Sequence, residues 1–224
     1  MSAFNVQKKL KELGVLSRSM RWSKDLRSLT EMIQSGKTPQ DFFFEFWCYL
    51  CAVRTVQQEI GAVKLVVPNG QTLAIWPLKP GAAVNFSYFS FTADNIDLGV
   101  YPGVEFGYKG IASTFAPDIS IRSAIKQAVQ PEIYAVWDAK YRSNPDKGIS
   151  RSEVYAFNTA RTLLAISYSA QLKQALDDIT HMPCFRACGL ITNGGFSAEH
   201  NDTLVALGLF ETARFGTGSE ATRP

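Results

Sequence analysis

The sequence predicts an α/β protein in which a mixed β-sheet is flanked by helices and preceded by a helical arm. The chain has 224 residues, of which 46% are hydrophobic and 19% are charged, so it can bury one sizeable core. Apolar residues follow a helical spacing up to about residue 60, and short β-rich stretches separated by turns come next. A helical pattern returns after Asn144-Pro145. This alternation favours one domain over two.

The N-terminal part is basic and helical. Two amphipathic helices are predicted between residues 4 and 34, and the break at Ser35-Gly36 ends them. Residues 1–40 carry eight Lys and Arg against three Asp and Glu, a surplus typical of a segment that contacts phosphates and also of a solvated helix face. We therefore assign residues 1–36 to a basic helical arm. Its candidate phosphate contacts are Lys8, Lys9, Lys11, Arg18, Arg21, Lys24 and Arg27.

The main domain is expected over residues 37–215. Thr38 and Pro39 can cap and open a helix that runs to about Ile60. Strands are expected at residues 64–67, 73–76, 84–91, 115–121 and 132–141. A helix at 150–176 and a buried strand at 185–192 follow, and residues 203–210 fit either a strand or a helix. Residues 216–224 are expected to form a flexible tail.

Several classes of protein are excluded or disfavoured. No apolar run approaches the roughly 18 to 20 residues that span a bilayer, and the N-terminus lacks the layout of a secretory signal. We therefore expect a cytoplasmic protein without a membrane partner. Cys48 with Cys51 and Cys184 with Cys188 have the spacing of zinc ligands, but the first pair lies in an apolar run where thiols pack as small hydrophobes. His181 and His200 are too isolated to indicate a metal or acid–base site.

Two predicted strands carry the charged residues that point to chemistry. Alternation along residues 115–121 places Asp118 on the same face as Ser120 and Arg122, and alternation along residues 132–141 places Asp138 beside Lys140. Consecutive strands are usually neighbours, so Asp118, Asp138 and Lys140 are expected to converge. Mg²⁺ prefers oxygen ligands and usually takes one or two carboxylates. A nearby lysine can orient or help to deprotonate an attacking water, which favours phosphodiester hydrolysis.

Pro117-Asp118, nineteen intervening residues and Asp138-Ala139-Lys140 together resemble the PD-(D/E)xK signature of restriction-endonuclease-like nucleases. The resemblance implies a restriction-endonuclease-like core, with Mg²⁺ or Mn²⁺ held by Asp118 and Asp138 and the nucleophilic water served by Lys140. Many members also carry a glutamate on the helix before the sheet. Here that residue is Glu45, the only charge between Phe42 and Val53, and the resemblance makes it a third metal ligand and catalytic residue; a hydrogen bond to Arg54 or to a backbone end is the alternative.

The sequence around the motif resembles particularly the McrC-like nuclease domain, the cleavage subunit of modified-DNA restriction systems. The similar stretches are residues 44–50 and 137–142, followed by a helix with Glu153 and Arg161. Ala156 and Ala160 depart from that branch, which commonly has a long polar residue and a tyrosine there. No phosphate-binding loop of an ATPase is present in the sequence, so a motor would be another chain.

Flanking residues complete the predicted site. Arg122, Arg142 and Arg161 are candidate contacts to nucleic-acid phosphates, with surface solvation as the alternative for each. Tyr134, Tyr141 and Tyr155 can stack on bases, but core packing is the better explanation for residues in such positions. The implied function is a metal-dependent endodeoxyribonuclease of a restriction or anti-phage system, acting on DNA as a homodimer or with a separate motor or recognition subunit. The alternatives are a catalytically silent nucleic-acid-binding or scaffold module, a transposon-end or repair nuclease, and a structural α/β protein with a chance motif.

Overall fold

A computed structural model describes residues 5–19, 39–68, 70–72, 74–76, 81–93, 95–108, 111–124, 133–164, 188–196 and 201–223. Its helices are α1 (Val6–Ser19), α2 (Pro39–Glu59), α3 (Arg151–Leu163) and α4 (Asn201–Leu207). The strands of the main sheet are β1 (Lys64–Val66), β2 (Tyr88–Ala93), β3 (Ile96–Pro102), β6 (Ile119–Ser123), β7 (Ile133–Lys140), β8 (Gly189–Thr192), β9 (Phe210–Ala213) and β10 (Ala221–Arg223). Strands β4 (Phe106–Tyr108) and β5 (Ile111–Phe115) form a separate two-stranded antiparallel sheet.

The main sheet is mixed, as the sequence predicts. Its strand order is β1-β2-β3-β6-β7-β8-β9-β10. Neighbours from β1 to β7 are antiparallel, whereas β8 runs parallel to both β7 and β9. A parallel pair needs a crossover connection, and α3 lies within the one that joins β7 to β8. The predicted α/β fold of a mixed sheet with flanking helices is therefore confirmed.

Helix α2 is apolar on most of its surface because it lies between the sheet and α1. Phe43, Leu50 and Val53 are fully buried, and the helix packs against β3 and β7. From α1, Leu13 joins the same core, and the ammonium of Lys9 lies 4.4 Å from the centroid of the Trp47 ring. The first helix of the predicted arm thus packs on the main domain. The second predicted arm helix lies outside the described residues.

Helices α3 and α4 pack against the sheet in a second core. Val154, Phe157 and Leu204 are buried there with Val136 of β7 and Leu190 of β8. Helix α3 begins where the sequence predicts, because the Ser150 hydroxyl accepts a hydrogen bond from the Glu153 N–H and the Glu153 carboxylate accepts one from the Ser150 N–H. The predicted continuation from residue 165 to 176 lies outside the described residues.

The structure corrects or completes several sequence-based assignments. Residues 74–76 are not a strand, and a 3₁₀ helix at Ala83–Asn85 precedes β2, so the strand predicted at 84–91 starts later. Strand β3 was not predicted. Residues 203–210 belong mostly to helix α4, and β9 begins only at Phe210. The expected flexible tail contains β10, which pairs with β9 and so finds hydrogen-bond partners at the sheet edge.

None of the helices within the described ranges combines the length and the apolar character that crossing a membrane requires.

Candidate active site

The sheet brings the two predicted aspartates face to face. Ile119 of β6 pairs with Trp137 of β7, and Ser120 pairs with Val136. Continued by one residue, this antiparallel register places Asp118, which immediately precedes β6, opposite Asp138 near the end of β7. Lys140 follows two residues later, and alternation puts it on the same side of β7 as Asp138. The sequence assigned Asp118 to a strand, whereas it lies in the turn just before one.

Hydrogen bonds fix these groups. The Asp118 carboxylate accepts a hydrogen bond from the Ala139 N–H at 2.7 Å, and the Asp118 carbonyl accepts one from the Gly103 N–H at 2.9 Å. The Lys140 ammonium lies 2.7 Å from Oδ2 of Asp138 in an ion pair whose side chains are mostly buried. Asp118 is therefore bonded to the main chain between the other two predicted catalytic residues.

Glu45 reaches the same place from helix α2. Its side chain lines a small cleft together with Asp118, Phe42 and Gly103. One turn further along α2, the Tyr49 hydroxyl donates a hydrogen bond to the Val100 carbonyl at 3.2 Å and so holds the helix over β3. The structure thus brings together Asp118, Asp138, Lys140 and Glu45, the four residues that the sequence predicts to be catalytic.

Burial and neighbouring charges raise the pKa values of Asp118 and Glu45. Burial, and then the charges of Asp138 and Glu45, raise the pKa of Asp118 well above its usual range. Burial raises the pKa of Glu45 to about 7; Lys140 opposes this shift, and Asp138 and Asp41 add to it. Burial by itself would lower the pKa of Lys140, but Asp118, Asp138 and Glu45 outweigh it and hold that pKa above its usual value. Lys140 is therefore an ammonium in this arrangement.

This donor set fits a hard divalent cation. Three carboxyl groups face one ammonium, so full ionisation leaves a negative surplus that a divalent ion would offset. Within the described ranges, no group of three or more His, Cys, Asp or Glu side chains is positioned to hold a metal ion. Mg²⁺ does not need one, because it usually takes one or two carboxylates and completes its octahedron with water and phosphate oxygens. One or two of the carboxylates of Asp118, Asp138 and Glu45 would hold it.

The three predicted phosphate contacts have partners or burial that point to structural roles. Arg122 is 2% exposed, and its guanidinium carbon lies 3.7 Å from the centroid of the Tyr101 ring. Arg142 forms an ion pair with Glu153 and donates a hydrogen bond to the Gly148 carbonyl. Arg161 donates to the Leu207 and Gly208 carbonyls at the end of α4. The structure does not place any of these guanidinium groups among the catalytic carboxylates.

Other residues singled out by the sequence fall into several environments. Tyr134 is buried in the core, Tyr141 is half-buried against Phe44, and Tyr155 is exposed on α3. Cys48 and Cys188 are buried, and Cys51 is half-buried. Cys184, His181 and His200 lie outside the described residues.

Asn193, directly after β8, was not predicted to matter. Its side-chain oxygen accepts a hydrogen bond from the Arg142 N–H at 2.6 Å, and its amide donates one to the Arg142 carbonyl at 2.8 Å. In the sequence Thr192-Asn193-Gly194-Gly195 it has the composition of an ordinary turn. No local pattern indicates that this amide binds a loop about 50 residues earlier.

A family model for the PD-(D/E)XK nuclease superfamily matches residues 42–210, which is more than half of the chain. The chain belongs to the PD-(D/E)XK nuclease superfamily. The match spans Glu45 and both motif strands. The same comparisons found no match among curated proteins or solved structures.

Proposed function

We propose that this PD-(D/E)XK superfamily member is a metal-dependent endonuclease that hydrolyses phosphodiester bonds in DNA. One observation carries the proposal: Asp118 lies opposite Asp138, Asp138 is paired with Lys140, and Glu45 shares the cleft of Asp118. A chance Asp-x-Lys on a strand end does not require a second carboxylate across the sheet and a third from a helix.

The residues divide the chemistry between them. Asp118, Asp138 and Glu45 would hold Mg²⁺ or Mn²⁺, which polarises the scissile phosphate and makes bound water more acidic. Lys140 is an ammonium, so it contributes hydrogen-bond donors and positive charge toward the attacking water and the phosphate oxygens. The Asp118 bond to the Ala139 N–H keeps the two strand ends in register while the phosphate is bound.

We further infer a setting in restriction or anti-phage defence, with a homodimer or a separate motor or recognition subunit as the partner. This inference is supported by the similarity of the sequence around the motif to the McrC-like domain. Cutting both strands of a duplex also needs two active sites or two successive events. Transposon-end cleavage and repair use the same catalytic core and are the alternative settings.

Metal-dependent cleavage is the direct test. The purified protein is incubated with linear, circular and single-stranded DNA in Mg²⁺, in Mn²⁺ and in chelator. We expect cutting of circular DNA only with metal, and a loss of about 100-fold or more in Asp138→Ala and Lys140→Ala. Asp146→Ala and Lys64→Ala remove the same residue types at exposed positions and should cut as the parent does. Cutting in chelator, or cutting that survives both catalytic substitutions, would refute the assignment. DNA binding without cutting would instead support a silent binding module.

A further inference from the structure

We propose that Asn193 is a positioning residue for Lys140 and acts through the main chain of Arg142. This inference rests on the proposed nuclease function. The parallel β7–β8 ladder ends at the pair Lys140 and Thr192. Asn193 lies one residue beyond β8. There its side chain continues the hydrogen bonding of the ladder, because it accepts a hydrogen bond from the Arg142 N–H and donates one to the Arg142 carbonyl.

The chemistry of these two bonds is specific to a side-chain amide. A planar amide presents one acceptor and one donor together, which matches the N–H and C=O of a single residue. Asn193 is 3% exposed, so water does not replace either bond when one is lost. A carboxylate in this place would turn an acceptor toward the Arg142 carbonyl, and a leucine would satisfy neither group.

Asn193 is itself held firmly on its other side. The Arg214 N–H donates to the Gly194 carbonyl at 2.7 Å, and the Phe215 N–H donates to the Thr192 carbonyl at 2.9 Å. A Cβ on Gly194 would collide with the Lys147 carbonyl, so the turn after β8 packs directly against the loop after β7. The main chain on either side of Asn193 is therefore anchored to the turn after β9, and the Asn193 amide in turn holds Arg142.

The hydrogen bonds of Asn193 affect the candidate active site because Arg142 lies two residues after Lys140. The Arg142 side chain is also fixed, by its ion pair with Glu153 at the start of α3. With its main chain held by Asn193 and its side chain by Glu153, the end of β7 has little freedom to move. Misplacing a catalytic group by about 1 Å can cost about 100-fold in rate.

The test uses Asn193→Leu and Asn193→Asp in the full chain with Mg²⁺ and DNA. We expect kcat to fall about 10- to 100-fold while KM for DNA stays within about twofold, because the substrate-binding surface is intact. Thr212→Val, which removes a buried hydroxyl bonded to Thr222 on β9 and β10, is the matched control and should lose stability but keep kcat. Unchanged kcat in both folded Asn193 variants, or a change in KM alone, would overturn the proposal.

Hydrogen exchange supplies a readout that does not need activity. The Arg142 amide should exchange slowly in the parent and at least about 10-fold faster in Asn193→Leu, with helix α3 unchanged. Equal exchange in the two proteins would overturn the proposal. If the parent cuts no DNA under any metal condition, the proposed nuclease function is wrong. The exchange result alone then decides whether the Asn193 side chain restrains the Arg142 main chain.

Discussion

The side chain of Glu45 is a carboxyl group that lies close to other carboxyl groups. Its pKa of about 7 results mainly from burial, so the neutral form favours folding in the absence of metal. A carboxyl group whose folded pKa is raised contributes stability below its ordinary pKa, near 4.5, and loses that contribution as the pH rises through about 7. Above that pH the ionised Glu45 carboxylate destabilises the folded state.

Glu45→Gln should therefore stabilise the metal-free protein at high pH. The amide stays neutral, so the gain over the parent should be small below about pH 4.5 and grow to at most about 3 kcal/mol above pH 7. Urea unfolding in chelator at several pH values measures it, with Glu59→Gln on the exposed end of α2 as the matched control. A gain that is constant from pH 5 to pH 8 would contradict this account of Glu45. Cleavage by Glu45→Gln should fall, since one candidate metal ligand is lost.

The charged residues of the site could be predicted from the sequence because each contradicts its surroundings. Glu45 is the one charge in the aromatic run from Phe42 to Val53, and Asp138 and Lys140 end an otherwise apolar strand. The arginines lacked such a contrast. Arg122 alternates with apolar residues just as a surface cation does, and its burial against Tyr101 depends on β3, which was not predicted. Asn193 depends on a contact between distant turns.

At the scale of elements, predictability followed the strength of local pattern. Strand β7 begins with an apolar run from Ile133 to Trp137, and it was predicted within one residue at each end. Strand β3 contains Gly99 and ends at Pro102, residues that usually indicate turns. The structure explains the glycine, because a Cβ at position 99 would collide with the rings of Tyr101 and Tyr88. Packing of aromatic rings across the sheet thus overrides local propensity, and a single sequence does not reveal it.

The capping box of α3 gives a prediction for one element. Ser150→Ala removes a side-chain acceptor at the helix start and should lower the free energy of unfolding by about 1 kcal/mol. Cleavage should change by less than about twofold, because the Arg142–Glu153 ion pair that stabilises the loop after Lys140 remains. Thr159→Ala on the exposed face of the same helix is the control and should shift stability by no more than about 0.5 kcal/mol. Urea unfolding measures both. A loss of activity in Ser150→Ala would show that the cap, and not only the ion pair, supports the site.

Across the whole molecule, the described part of the basic arm and the main domain are joined by packing. Leu13 of α1 belongs to the core of α2, and Lys9 is occupied by Glu12 and by the Trp47 ring. Lys8 and Lys11 are exposed on the same helix. The described part of the arm therefore combines a buried anchor with solvent-facing charges. Deleting it would remove core side chains together with the charges and would confuse stability with DNA affinity.

Exchanging only the exposed lysines tests whether the arm contacts DNA. Each Lys–phosphate contact releases counterions and adds about 0.9 to the slope of log affinity against log salt for duplex DNA. In the Asp138→Ala background with chelator, Lys8→Gln/Lys11→Gln should therefore reduce that slope by up to about 2, and the reduction should be independent of DNA sequence. Arg54→Gln/Lys64→Gln removes two exposed cations from α2 and β1 and is the matched control. Equal slopes for the arm variant and the parent would mean that these lysines are only a solvated helix face, and the catalytic domain would then have to bind DNA without them.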